Sequence, residues 1–543
     1  MAYKPARYKL LTYKRLQCLV TLVFCLFFLV PAPKADTSTG FRSAQVEVIH
    51  LGGGDWGYPT PYAHYPRGPG GFKMCLIFDS LLERGDQGII PWLATSWQVE
   101  EQGKAYIFTL RQGVKWHDGT PMTPEDVAFS LDYATRFPMT WSYVFDRIKQ
   151  VEILEDGRIK VTLKMPTASM LYSLGISRII PKHIWEKVNN PKTFTKPEAV
   201  IGTGPYRLTD YGREHGTYRF EAFKDFWGPV VRVKRLEFIP MSEPILAYQK
   251  HEIDIIHLAP DLLPRFQNNP EHKIMKSPGF WGYRLLFNRN LPGPARMVQV
   301  RQAFAYAIDL DELVAKVARG AALPGRAGIL PPDHVMAAQN VRSYGFNPEK
   351  AGKLLDQTGF TLTRGTIRTG PDGKPLAFDL LCAGGEVRMA EILKQRLAAV
   401  GVEIRIKSCN GKTRDSQVRN QKYDLAIIGH GGWGNDPDYL IAHCTGDIKQ
   451  SSSPSASGGS GLASPPLTQL LKAQRSQTDP EKRRELVVKI QQMAAEEVPE
   501  IPLFYTTGYT VFRPTKYDGW MFMFDHHSLV HGKLSYLNWN EQR

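Results

Sequence analysis

Apolar and polar residues alternate over Val46–Leu51, the two-residue period of a half-buried strand. Tyr106–Arg111 reads as a second strand. Farther along, a strand at Phe378 precedes a helix over Glu386–Val400 that Gly401 stops. Val402–Ile406 alternates again, and after a loop Tyr423–Ile428 forms another strand. This order of elements predicts an α/β fold with a mostly parallel sheet. Helix starts are marked locally. Thr123-Pro124-Glu125-Asp126 combines a capping hydroxyl, a proline suited to the first helical position and acids in the first turn. Asn347-Pro348-Glu349 repeats the device, with Ala351, Leu354 and Leu355 on one face and Gly359 as the stop.

Two stretches break the pattern. Leu16–Val30 is an apolar run of 15 residues after Lys4, Arg7, Lys9, Lys14 and Arg15. That is the length of a signal-peptide core and short of the roughly 20 residues that span a bilayer. Residues 1–35 are therefore expected to be a signal peptide cleaved after Ala35, with retention as an anchor as the alternative. No later stretch is long and apolar enough to span, so the body is expected outside the cytoplasm, periplasmic or extracytoplasmic. Ser451–Pro466 contains neither charge nor aromatic ring and reads as a mobile loop.

The leader holds six basic residues, so its removal lowers the net charge from +15 to +9. The surplus is scattered without a basic helix or block, which argues against nucleic-acid binding. Four cysteines remain, Cys75, Cys382, Cys409 and Cys444, with no C-x-x-C pair. Cys382 and Cys409 each follow a predicted strand. A bridge between them is the preferred pairing, and isolated buried thiols are the alternative. Catalytic signatures are missing. His251-Glu252 is followed by His257, six positions on rather than the four that a zinc-binding helix face needs. No G-x-S-x-G elbow occurs. His526, His527 and His531 form the one tight histidine group, and a packing role is preferred to a metal role. No cofactor or metal is implied, and a secreted hydrolase is the alternative of another class.

Five stretches resemble the peptide/nickel-type family of extracellular solute-binding proteins, in the family's order. They are Phe108–Ser130 (FTLRQGVKWHDGTPMTPEDVAFS), Ile201–Tyr206 (IGTGPY), Val300–Asp309 with Asp311–Leu313 and Pro331-Pro332, Tyr423–Pro437 (YDLAIIGHGGWGNDP), and Asp479–Arg483 leading to Ile501–Leu503. The residues themselves read as builders of the fold. His117 and Asp118 sit in a turn, Val300–Ile308 is a core helix, and Asp309 with Glu312 caps the next one. The resemblance implies a three-lobed α/β periplasmic-binding-protein fold, two α/β lobes joined by a hinge plus an extra domain. It divides the chain into lobe I (36–78, 196–285 and 505–543), an extra domain (79–195) and lobe III (286–504). It also implies a monomeric, non-enzymatic receptor that delivers a small solute or peptide to an ABC transporter permease.

Loops beyond the carboxyl ends of parallel strands line crevices, which singles out His430, Trp433 and Asp436. Peptide-binding members carry an acid between the tryptophan and the Asp-Pro pair, and Trp433-Gly-Asn-Asp436-Pro437 lacks it. They also carry an arginine in a longer loop before the Glu386 helix, where only Arg388 is near. Nickel-type members have a histidine where Asp438 stands, with His430 and His443 flanking. Trp56, Trp281 and Tyr283 complete the candidate cleft aromatics, with core packing as the alternative for each. Short peptides are the expected ligand, a nickel or other metal chelate the runner-up, and an opine or sugar remains open.

Overall fold

A computed structural model describes residues 45–64, 70–139, 142–362, 366–434, 436–445 and 463–539. The expected leader and most of the low-complexity stretch lie outside them. The end of that stretch is helical: Pro465-Pro466 open a helix over Pro465–Ser476, where the Ser464 side chain accepts from the Leu467 N–H. Among the described residues no helix is long and apolar enough to cross a membrane.

Three larger sheets carry the fold. The first runs Val46–Gly53, Val233–Pro240, Thr217–Ala222, Tyr206–Gly212, parallel in its first pair and antiparallel after it. The second is an antiparallel set in the order Ala94–Glu100, Ala105–Leu110, Ile159–Leu163, Ile148–Ile153. One apolar core underlies both. The Pro124–Arg136 helix lies against the Ile148–Ile153 strand, and at its start the Asp126 carboxylate accepts from the Thr123 N–H at 2.9 Å.

The third and largest sheet runs Ile255–Leu258, Glu500–Phe512, Lys273–Phe287, Leu425–Gly431, Ala377–Ala383, Glu403–Cys409, with Ala322–Pro324 added to Glu500–Phe512. Only its last three strands are parallel to one another, so the expected mostly parallel sheet is corrected to a mixed one. The reason is the pairing of Lys273–Phe287 with Glu500–Phe512, from Lys273 opposite Phe512 to Leu286 opposite Glu500, with register breaks after Ser277 and after Tyr283. Nothing local in either strand announces a partner so distant along the chain. The expected loop between Ile406 and Tyr423 contains a helix, Gly411–Arg419, capped by Asn410. Its sequence shows no apolar stripe because its buried side is ionic: Arg414 pairs with Glu386 at 2.6 Å and Asp415 at 2.7 Å.

The preferred disulfide is not formed; Cys75, Cys382, Cys409 and Cys444 are all free. Cys382 and Cys409 do lie on neighbouring parallel strands. The register sets Cys409 opposite Ala383 and Cys382 opposite Ser408. A one-residue offset turns the two thiols to opposite faces of the sheet.

Two of the sequence motifs lock together. The His117 ring bonds the Gly204 carbonyl at 2.9 Å and accepts from the Gly202 N–H at 3.3 Å. A Cβ on Gly202 would fall 2.0 Å from the Ile77 carbonyl oxygen, so only glycine permits this crossing. Next to it, Asp79 is fully buried and accepts from Lys533 (2.5 Å), Trp92 (2.7 Å), Thr203 (2.9 Å) and Trp227 (3.1 Å). Lys533 also reaches Glu83 at 2.7 Å, and Arg84 pairs with buried Asp525 at 3.1 Å. The Asp79–Arg84 stretch is thus tied to the C-terminal segment by charges out of water.

Removing one member of such a pair leaves a buried charge uncompensated, at a cost of about 3–5 kcal/mol. Lys533→Met is expected to lower the urea midpoint accordingly. Lys353→Ala, which breaks an exposed pair with Glu349, is expected to leave it unchanged.

Candidate functional site

On one face of the central sheet two glycines underlie two aromatic rings. On Leu425–Gly431, Gly429 stands opposite Tyr283 and Gly431 opposite Trp281. The two aromatic rings occupy the room that these glycines leave. A Cβ on Gly429 would lie 3.0 Å from Trp281 and 3.2 Å from Tyr283, and one on Gly431 would lie 2.8 Å from Trp281. Trp281 and Tyr283 meet edge to face at 4.8 Å, and both are half-buried. Across the next pairings Trp281 faces Thr506, and Thr510 faces His257. Alternation places Thr506, Gly508 and Thr510 on this same face. Thr510 Oγ1 bonds His257 Nδ1 at 3.0 Å, whereas the buried Thr506 Oγ1 has no hydrogen-bond partner.

The C-terminal segment approaches this face. His527 Cε1 would lie 3.9 Å from a Cβ on Gly431, and His527 Nδ1 is buried without a hydrogen-bond partner. His526 Nε2 and His531 Nδ1 share a proton at 2.7 Å, and His531 stacks on Phe72 at 4.2 Å. Burial keeps all three imidazoles neutral, with His526 and His531 well below the usual range and His527 down to about 3. Among the described residues no group of three or more metal-type side chains is arranged to hold an ion.

The loop after Val46–Gly53 brings in Asp55 and Trp56. The Trp56 N–H donates to Tyr218 Oη at 2.9 Å, and its ring is half-buried. Partial burial would raise the Asp55 pKa. Hydrogen bonds from Tyr211 Oη (2.6 Å) and the Gly57 N–H (3.0 Å), with the charge of Lys412, lower it overall. Lys412 belongs to the Gly411–Arg419 helix, which follows the Glu403–Cys409 strand.

The loop after Gly431 folds inward instead. Trp433 is fully buried, packed edge to face on Tyr505 at 5.2 Å and tilted on His443 at 5.0 Å. Its expected contact with a ligand is corrected to a place in an apolar core with Phe280, Ile329 and Leu440. Asp436 is likewise corrected: Arg483 holds both its oxygens, at 2.5 and 2.7 Å, so its charge is already matched. Asp438 is fully buried under Arg475 (2.6 Å), Gln474 (3.0 Å) and Ser169 of the Met170–Ile176 helix start (3.2 Å). His443 joins a buried network with Glu500 (2.8 Å) and Arg284 (2.6 Å), which removes it from any chelate site. Arg388 is exposed on its helix. His430 pairs through its backbone with Gly282, and its side chain lies outside the described residues.

A model of bacterial extracellular solute-binding proteins, family 5 Middle, matches residues 88–451. The chain belongs to this family. The family 5 receptor is 27% identical to the dipeptide-binding protein of Escherichia coli (strain K12) over 462 residues, covering 80% of this chain and 83% of the relative. It is 25% identical to the nickel-binding periplasmic protein of the same strain over 517 residues, covering 91% and 94%. NikZ from Campylobacter jejuni, solved with Ni(L-His), superposes with a TM-score of 0.73 at 25% identity over 86% of this chain and 94% of that one. AppA from Bacillus subtilis, solved with a nonapeptide, shares the fold alone, with a TM-score of 0.76 at 19% identity over 90% and 98%. The fold is the multi-lobed α/β fold of these proteins, and the chain is a transport receptor and not an enzyme.

Sequence reasoning singled out Trp56, Trp281 and Tyr283, and the structure brings the last two together over Gly429 and Gly431. It passed over Thr506, weighed His257 only for the spacing of a zinc-binding helix, and noticed His527 only as part of a packing group. The run of glycines in IIGHGG, two residues apart, was the available signal for room on a strand face.

Two outcomes follow from this geometry. Trp433→Ala opens a core cavity and is expected to cost about 3–5 kcal/mol; Trp281→Ala, at the half-buried face, is expected to lower stability far less. The histidines give a pH dependence. Neutral in the folded state, they bind protons only on unfolding below about pH 6.5. Stability is then lost as pH falls from there toward the folded values, by up to about 1.4 kcal/mol per pH unit for each group. Urea midpoints between pH 7.5 and 5 are expected to fall less steeply in His526→Gln than in the parent protein.

Proposed function

We propose that the receptor is exported, works outside the cytoplasm as a monomer, and closes around short peptides that it hands to an ABC permease. The observation that carries the ligand class is the Gly429–Gly431 strand face beside Trp281 and Tyr283. The two aromatic rings lie over these glycines, and this strand runs past its parallel partner, which it meets only at Leu425 and Ala426, so its edge beyond them is open to main-chain pairing. Extended peptides are bound by such strands through main-chain hydrogen bonds, with flanking aromatics taking side chains. Kinship with dipeptide-binding relatives supports the same reading.

The paired strands Lys273–Phe287 and Glu500–Phe512 are the natural hinge. The break in their register after Ser277, near Gly508 at φ 155°, is where the ribbon can flex. The boundaries expected at 285/286 and 504/505 fall inside these two strands, which supports a ribbon that joins the lobes. The contact of Ser169 with Asp438 and the bond from the Ala168 N–H to the Arg475 carbonyl (2.8 Å) then belong to the closed form. A ligand drives closure only by the excess of its affinity for that form. The loss of both usual peptide-end anchors leaves room for other solutes. A metal–histidine chelate is the second reading, favoured by the neutral imidazole of His527 at the site and by kinship with the nickel-binding relative.

Thermal unfolding with dipeptide and tripeptide pools, and with nickel plus L-histidine, separates the readings. A ligand at 100 times its Kd adds about 2.7 kcal/mol. Stabilisation by peptides supports the first reading. Stabilisation by nickel–histidine with none from any peptide pool reverses the order.

A further inference from the structure

Among the described residues two lysines are buried, and their charges are met differently. Lys533 is held by Asp79 and Glu83. Lys73, on the Gly70–Ile77 helix, is 2% exposed, and its Nζ has no hydrogen-bond partner. The ammonium lies over two rings of the first sheet, 4.7 Å from Tyr218 and 4.5 Å from Phe238. Ring faces attract a cation but accept none of its three N–H groups in a strong hydrogen bond. The polar neighbours direct their hydrogen bonds to other groups. Tyr218 Oη donates to the Gly57 carbonyl at 2.9 Å and accepts from Trp56. Asp55 is near enough to be felt but is bonded to Tyr211 and the Gly57 N–H. His531, on the other side, shares its Nδ1 with His526.

Burying an unpaired ammonium is costly where methionine or leucine would pack as well. The same region leaves two more buried polar atoms unmatched, His527 Nδ1 and Thr506 Oγ1. His531 feels the charge of Lys73, and His527 adjoins both His531 and the aromatic face, so the three unmatched groups lie along one continuous region.

We propose that Lys73 is an anion anchor, so that the receptor selects solutes carrying a carboxylate, which pairs with Lys73 while the rest of the solute lies along the Trp281–Tyr283 face. This rests on the cleft-receptor reading and deepens it. The carboxylate is the C-terminus of a peptide or the acid group of another small organic molecule, and the test distinguishes the two sources.

The test uses the purified mature protein and four probes: Gly-Phe, Gly-Phe amide, 3-phenylpropionate and 3-phenylpropionamide, titrated calorimetrically at pH 6.5 into the wild type and Lys73→Met. The wild type is expected to bind at least one acid, at least tenfold tighter than its amide. Lys73→Met is expected to lose at least tenfold for that acid while keeping or raising its Tm, because an unpaired buried charge has been removed. Amides that bind as well as acids overturn the anchor and leave the peptide reading standing. Binding of 3-phenylpropionate through Lys73 without binding of Gly-Phe keeps the anchor and counts against peptides. Failure of both acids to bind, or equal binding by Lys73→Met, overturns the anchor. The acid-against-amide comparison on the unaltered protein decides the matter even where the variant is unstable.

Discussion

The contact between Asp79 and Lys533 is the constraint on which the rest of the architecture depends. Both groups are fully out of water, so neither is tolerable without the other. Asp79 also gathers Trp92, Trp227 and Thr203, and Lys533 gathers Glu83. One ion pair thereby fixes the end of the Gly70–Ile77 helix, the glycine crossing at Gly202–Gly204 and the last segment of the chain. That segment carries His526, His527 and His531 to the central sheet. The position of the candidate site is in this sense a consequence of charge pairing some distance away from it.

The site itself is made as much by omission as by side chains. Gly429 and Gly431 leave room on a strand face, and Trp281 and Tyr283 take it up. The neighbouring loop takes the opposite course. Trp433, Asp436, Asp438 and His443 all have partners within the fold, and several of those partners are arginines. The loop's polar side chains thus hold its conformation.

How much of this was legible in the sequence depended on how far each signal reached. The helix starts at Thr123, Asp309 and Asn347 were readable because a cap is complete within four residues. The strands of the Phe378–Ile428 unit were readable from alternation and order. The mixed character of the sheet was not, because Lys273–Phe287 finds its partner more than two hundred residues later. Asp436 was misjudged for the same reason: Arg483, which occupies it, is 47 positions away. The Gly411–Arg419 helix was hidden because its buried side is two charged residues, Arg414 and Asp415, with Val418 alone apolar. Lys73 gave no signal, since one lysine in a glycine-rich stretch looks like any surface residue until its burial is known.

The long pairing of Lys273–Phe287 with Glu500–Phe512 also sets an order of events in folding. Contacts between segments so far apart carry a large loop-closure cost and form late. Until the last stretch of the chain is present, the central sheet lacks its second-longest strand, and Asp79, Glu83 and Arg84 lack their counter-charges. A chain that emerges amino end first therefore cannot finish its first lobe early. It stays in an incomplete, open form until the final residues arrive, and then the sheet, the buried charges and the histidine cluster are completed together.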